Sequence, residues 1–170
     1  YTHSHLDHFG GILGVTTQEE VDAGNVRIIA PDGFLEEVVK ENIIAGPIMA
    51  RRAHYQFGPL LPPWPQGQVD IGLGQSLPLG ASHLIPPTET VYETGTELEV
   101  DGLRVIFQNT PDAEAPSEMN FFFPEKNLLC MAENCTHTMH NLYPIRGAQT
   151  RDALAWSKYI NEALLLWGEY

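Results

Sequence analysis

The sequence predicts a layered α/β fold, with short strands and intervening helices packed around one core. Three observations carry this reading. Short apolar runs of strand length, such as Val26-Arg27-Ile28-Ile29-Ala30, close on turn residues. Two other segments space their apolar side chains as a helix does. Finally, Asp101-Gly102 joins two alternating apolar runs, the signal of a hairpin. Strands interleaved with helices bury their apolar faces by stacking as layers.

Residues 9–15, Phe-Gly-Gly-Ile-Leu-Gly-Val, read as a tight turn entering a short helix. The strand at 26–30 is closed by Pro31-Asp32-Gly33. Residues 33–45 then predict a helix with Phe34, Leu35, Val38 and Val39 on one face and Glu36, Glu37 and Lys40 outside. Residues 58–90 are rich in Pro and Gly with little periodicity, which suggests a functional lid or a packing arm. The hairpin spans 97–109. Two further strands follow, Asn120-Phe121-Phe122-Phe123 and Leu128-Leu129-Cys130-Met131-Ala132, joined by Pro124-Glu125-Lys126-Asn127. Residues 150–167 predict an amphipathic helix carrying Leu154, Trp156, Ile160, Leu164 and Trp167. No internal repeat interrupts this order, so residues 1–170 read as one domain.

Hydrophobic residues make up 43% of the 170, enough to bury a real core. Nine Lys and Arg stand against 22 Asp and Glu, a net charge of −13. That balance argues against nucleic acid or an anionic membrane surface as partner, since both require clustered basic residues. The two cysteines, Cys130 and Cys135, form no Cys-x-x-Cys and read as free thiols. No stretch is apolar for long enough to span a bilayer. The first residue, Tyr1, lies only two positions before a candidate ligand. The strand from which such a ligand loop normally hangs is therefore expected upstream, and the sequence reads as an internal fragment.

The chemistry is concentrated in His3-Ser4-His5-Leu6-Asp7-His8. Imidazole and carboxylate suit Zn²⁺ and its neighbours. In an extended run His3 and His5 point the same way and can share one ion. Asp7 and His8 follow a bend and can reach a second, and Gly10-Gly11 lets the backbone pass close by. Glu114 and Glu133 each follow a strand, where ligands are commonly placed; taken singly, each also reads as a solvated loop acid. Two short patterns carry nothing: Gly72-Leu73-Gly74 lacks the context of a dinucleotide loop, and the sequon Asn134-Cys135-Thr136 sits beside a candidate ligand and is expected to be inaccessible.

Three stretches are similar to the alkyl sulfatases, the SDS-hydrolase branch of the metallo-β-lactamase superfamily. They are Thr2-His3-Ser4-His5-Leu6-Asp7-His8-Phe9-Gly10-Gly11, Glu114-Ala115-Pro116-Ser117-Glu118-Met119-Asn120, and the run from Glu133-Asn134-Cys135-Thr136-His137 through Asn141-Leu142-Tyr143. The resemblance covers essentially the whole chain and implies an αββα sandwich, incomplete here. It implies that His3, His5 and Glu114 hold one zinc, Asp7 and His8 the other, and that Glu133 bridges two Zn²⁺ per chain. It also implies one more histidine ligand downstream, yet no histidine follows His140. His54 and His83 match no ligand position and read as structural or surface residues.

The segment from His140 to Arg151 resembles the family's sulfate-binding stretch. Arg146 and Arg151 are then the sulfate candidates, with Asn141 behind them and helix-start donors near Thr150. On residue type alone the same arginines also read as surface ion-pair formers. His140 fits a general acid, with His137 as its competitor. The implied reaction is zinc-dependent hydrolysis of linear or secondary alkyl sulfates, SDS-like, to an alcohol and inorganic sulfate. The family is thought to break the C–O bond, and the residues leave attack at sulfur open. Phe57, Leu60, Leu61 and Trp64 are candidates for an alkyl groove, or for packing against another domain. The rival readings are a lactonase, thioesterase or β-lactamase of the same fold, or an inactive metal-binding module. The resemblance further implies a small-molecule alkyl sulfate as partner, a homodimer in the full-length protein, and a periplasmic or secreted location.

Overall fold

A computed structural model describes residues 1–72, 74–76, 80–138 and 140–170. Leu73 of the Gly72-Leu73-Gly74 pattern lies outside the described residues. So do Leu77, Pro78 and Leu79 of the 58–90 segment, and Met139 of the third resembling stretch. The fold is layered α/β. A parallel pair, β1 (Ile29–Pro31) and β2 (Glu89–Val91), is followed by an antiparallel sheet in the order β3 (Glu97–Val100), β4 (Leu103–Asn109), β5 (Met119–Phe123), β6 (Leu128–Cys130). The helices are α1 (Gln18–Asp22), α2 (Phe34–Val38), α3 (Gly46–Phe57) and α4 (Ala153–Trp167). Among the described residues no helix is long and apolar enough to cross a membrane. Both cysteines are free.

The hairpin forms where Asp101-Gly102 predicts it. Both turn residues take positive φ, 50° and 75°, as a tight two-residue turn requires. Strand β1 begins later than the apolar run suggests. The Ile28 N–H donates to Thr88 Oγ1 at 2.8 Å, so the regular ladder starts only at Ile29 opposite Glu89. Strand β2, at the end of the 58–90 segment, has no local signal and exists because β1 pairs with it.

The segment predicted as one helix over 33–45 is broken in kind. After α2 the chain winds into a π-helical turn, Val39–Ile44, closed by Ala45 N–H donating to Lys40 O at 3.0 Å. It then continues into α3, which the Gly46-Pro47 pair disguises. Pro47 is harmless there because it occupies the first turn, where no intrahelical N–H is needed. Of the predicted apolar face, Phe34 and Val38 are buried with Phe9 and Ala30, whereas Leu35 is exposed. Beyond α3, residues 58–68 fold back on themselves through Gln68 N–H to Pro62 O, 2.9 Å, leaving Leu60, Leu61 and Trp64 exposed.

The core has one cluster that joins the sheets, Val91 with Val105, Phe107 and Met119, and another that seats α4, Phe122 with Ala163 and Trp167. On α4, Trp156 and Trp167 are buried as expected, but Leu154 and Leu164 face outward. The helix also starts later than predicted, at Ala153. Asp152 Oδ1 accepts from the N–H groups of Leu154 and Ala155 and so caps the helix itself. The helix-start donors expected near Thr150 for a sulfate are therefore not there.

Candidate metal centre

The chain start enters the molecule alongside β5. Thr2 O accepts from Met119 N–H at 2.9 Å, and Ser4 N–H donates to Ser117 O at 3.2 Å. This holds His3 to His5 extended, after which Leu6–His8 turns as a single 3-10 coil. The bend separates His3 and His5 from Asp7 and His8. Gly10 makes the close passage possible, because a Cβ there would lie 2.7 Å from Leu6 O; Gly11 has open space and no such need.

Glu114, from the β4–β5 connection, and Glu133, just after β6, come to the same place. His3, His5, Glu114 and Glu133 offer ligand atoms that all lie within 4.8 Å of one another. Asp7, His8 and Glu133 form a second such group, so Glu133 belongs to both. His3 Nε2 stands 3.4 Å from Glu114 Oε2 and 3.3 Å from Glu133 Oε2, and His8 Nε2 is 3.1 Å from Glu133 Oε2. Two of these atoms, His3 Nε2 and Glu114 Oε2, are buried without a hydrogen-bond partner. Orphaned buried polar atoms are costly. A cation between an imidazole nitrogen and a carboxylate oxygen satisfies both, so the donor set fits a metal.

The protonation states follow from this crowding. Burial lowers the His3 pKa. Burial also opposes charge on His8, but Asp7 and Glu133 outweigh it and raise its pKa to about 10. His140, His3 and His8 together hold the Glu133 carboxyl far below the usual range. Glu114 is lowered as well: its burial pushes upward, but His5, Arg151 and His3 prevail. These opposed charges stabilise each other.

His140 faces the cluster, with Nε2 at 3.6 Å from Glu114 Oε1 and 3.9 Å from Glu133 Oε1, and Glu133 foremost raises its pKa. His137 is exposed and makes no ion pair among the described residues. His83 is tied to Gly10 through its backbone, His54 is exposed on α3, and neither joins the cluster.

Arg151 differs from its expected place on a bound sulfate. Its side chain is buried and spent on the protein: Nε donates to Glu114 O at 2.5 Å, Nη2 to Glu114 Oε1, and Nη1 to Asn141 O and Oδ1. A guanidinium has five N–H groups, and this pattern leaves little of it for a ligand. Asn141 offers its carbonyl oxygens to the same arginine. Arg146 is more open; its Nη1 donates to Glu41 Oε1, and its N–H to Gln56 Oε1 at 2.7 Å.

Sequence reasoning missed the scaffold under these groups. Glu118 is buried, its Oε2 accepts from Glu114 N–H and Ala115 N–H at 3.0 and 3.2 Å, and burial with the nearby Glu114 charge raises its pKa to about 8. Asn134, inaccessible as expected of the sequon, donates to Thr110 and Asn120, while Asn120 donates to Gln108 and Trp156 Nε1 to Asn134 O. This buried network ties β4, β5 and α4 beneath Glu133. Ala132 just before Glu133 and Asp112 just before the Glu114 loop take φ of 49° and 63°, strained for non-glycine residues.

Comparison with known proteins accords with this geometry. The chain is 53% identical over 169 residues to a linear primary-alkylsulfatase of Pseudomonas sp., covering 99% of this chain and 25% of that protein. It is 49% identical to an alkyl/aryl-sulfatase of Saccharomyces cerevisiae, covering 99% of this chain and 26% of the yeast protein. The chain thus spans about a quarter of the length of these relatives. A solved structure, the stereoselective inverting sec-alkylsulfatase from Pseudomonas sp., superposes with a TM-score of 0.95 at 44% identity, over 99% of this chain and 27% of that one. The family model of the metallo-beta-lactamase superfamily, which implies divalent-metal binding, matches residues 1–169: this chain belongs to the metallo-beta-lactamase superfamily.

Proposed function

We propose that the protein carrying this chain hydrolyses linear or secondary alkyl sulfate esters to an alcohol and inorganic sulfate, with two zinc ions held by the two clusters that share Glu133. That sharing is the observation that carries the reading; the alkylsulfatase names of its relatives supply the substrate class. His3, His5 and Glu114 hold one ion, Asp7 and His8 the other. Bound divalent ions supply Lewis acidity and make a coordinated water acidic near neutral pH.

The chain's own residues do the rest. Arg146 pairs with the sulfate oxygens, for which a guanidinium fork is shaped. His140, whose pKa Glu133 raises, gives a proton to the ester oxygen as its bond to carbon breaks. One relative is described as inverting. Inversion at carbon requires cleavage of the C–O bond, because attack at sulfur leaves the stereocentre untouched. We therefore favour C–O cleavage, with sulfate as the leaving group and the water oxygen retained in the alcohol.

The test is turnover of dodecyl sulfate by the full-length protein, beside a lactone, a thioester and a β-lactam. Faster turnover of any neutral substrate replaces the reading with another hydrolase of this fold, and no turnover of any leaves a metal-binding module. In H₂¹⁸O the label should appear in the alcohol; label in sulfate sinks the C–O assignment.

A further inference from the structure

Both paired imidazoles turn one nitrogen away from the cluster, and each outer nitrogen faces a carboxylate at ion-pair distance, beyond hydrogen-bond reach. His3 Nδ1 lies 3.0 Å from Thr2 Oγ1 and 3.9 Å from Glu118 Oε1. His5 Nδ1 faces Glu114 Oε2 at 2.9 Å, and its Nε2 faces Glu41 Oε2 at 3.8 Å. Glu118 serves its own turn. Glu41 comes from elsewhere, the π-helical turn Val39–Ile44, which supplies no metal ligand. Its second oxygen accepts from Arg146 Nη1. A cavity of about 20 Å³ lies beside them, lined by His5, Glu41, Glu114 and Arg151, space on the scale of one water.

We propose that Glu41 is a positioning residue acting on two sides: it orients His5 for its metal ion, and it holds Arg146 by one edge so that the other edge meets an oxyanion. A carboxylate on the outer nitrogen of a ligating histidine sets the ring's tautomer and orientation and raises its basicity. On the other side, Glu41 takes only Nη1 of Arg146. The Nε–Nη2 edge makes no hydrogen bond among the described residues, and that edge is a fork suited to two sulfate oxygens. An arginine left without Glu41 regains the rotamer freedom of a long side chain. Side chains mostly buried on both partners keep this pair from being a loose surface contact. π-helical turns recur at functional sites, and here the turn delivers a carboxylate shared by His5 and Arg146.

The Arg146 half of this rests on the alkyl-sulfate reading; the His5 half does not. The test uses the full-length protein with Glu41→Ala, which removes both contacts, and Glu41→Gln, which keeps an acceptor without the charge. Zn²⁺ affinity, measured against a competing chelator dye, should fall about 10–100-fold in Glu41→Ala and less in Glu41→Gln. With zinc saturating, KM for dodecyl sulfate should rise more than kcat falls. Melting temperatures of the metal-free variants establish that each is folded. Unchanged zinc affinity in a folded Glu41→Ala protein overturns the proposal. So does a lower KM, which would make Glu41 a competitor of the substrate for Arg146. A wild-type protein inactive on dodecyl sulfate would remove the alkyl-sulfate reading instead, and the zinc measurement would still decide Glu41's role.

Discussion

The metal cluster and the loop that faces it are built in opposite ways. Four of the six ligand-type residues lie within His3–His8, and the other two each follow closely on a strand. Their geometry comes from an extended run, one bend and two strand ends. The loop of residues 140–151 closes on itself through Arg151 and Asn141, but its arginines are also held from a distance. Arg146 is placed by Glu41 and Gln56, 105 and 90 residues away in sequence, and Arg151 by Glu114, 37 residues away. The donors are thus specified locally, while their aim is specified by ion pairs across the fold. Changes in the cluster should remove the metals; changes at His140 and Arg146 should leave the metals and remove the chemistry.

The sharpest separation should come from Glu133. Glu133→Gln should strip both ions, seen by elemental analysis of the full-length protein, and lower activity beyond the about 10–100-fold typical of an outer partner. Asp7→Asn should empty mainly one site. Equal loss from both variants would break the shared-ligand picture.

His140→Ala tests the loop side. Metal content and melting temperature should hold while kcat falls about 10²–10⁴-fold, as for loss of a general acid. The same result from His137→Ala, with His140→Ala silent, would exchange the two residues and move the chemistry to the exposed side of the loop.

Arg146→Lys is expected to lose part of about 1.5–3 kcal/mol, the range for a hydrogen bond to a charged group. The full loss corresponds to about 10–150-fold in kcat/KM on alkyl sulfates. Lysine keeps the charge but not the fork. Equal losses on a neutral ester would make Arg146 a structural residue and erase the contrast between the regions.

The smallest effect is a pH slope. In the metal-free protein the His8 pKa is raised to about 10, so the ring is protonated at neutral pH. Its pairing with Asp7 and Glu133 is worth most below the unfolded value near 6.5, and it is lost as pH rises through 10. A metal ion must displace that proton. Zinc affinity should therefore rise about tenfold per pH unit across the neutral range, one proton released per ion at the Asp7–His8 site. Calorimetry in buffers of different ionisation enthalpy counts the protons. A flat profile would mean that His8 is already neutral.

Much of the fold was legible because the signals were local. Asp101-Gly102 specified its hairpin, and Trp156 and Trp167 marked the buried face of α4. Helix α1 was legible in principle, since Thr17 and Glu20 form a reciprocal capping box, but five residues give too short a periodicity to notice. Helix α3 hid behind Pro47, and β2 behind a run of prolines and glycines. The exposed Leu154 and Leu164 of α4 show the limit of periodicity, which names an apolar stripe and not the neighbour that covers it.

Residue type and short-range spacing by themselves determined the donor set, because imidazole and carboxylate at His3, His5, Asp7 and His8 suit a metal whatever surrounds them. The tertiary structure alone decided which groups stand behind those donors. Glu41, Glu118 and the Asn134–Asn120–Gln108 network carry no motif. Arg151 braces Glu114 rather than lying open to an anion because burial leaves its donors the acceptors within reach, on Glu114, Asn141 and His140. A buried charge must find its partner inside the protein, and which partner lies within 3 or 4 Å is a property of the packed chain.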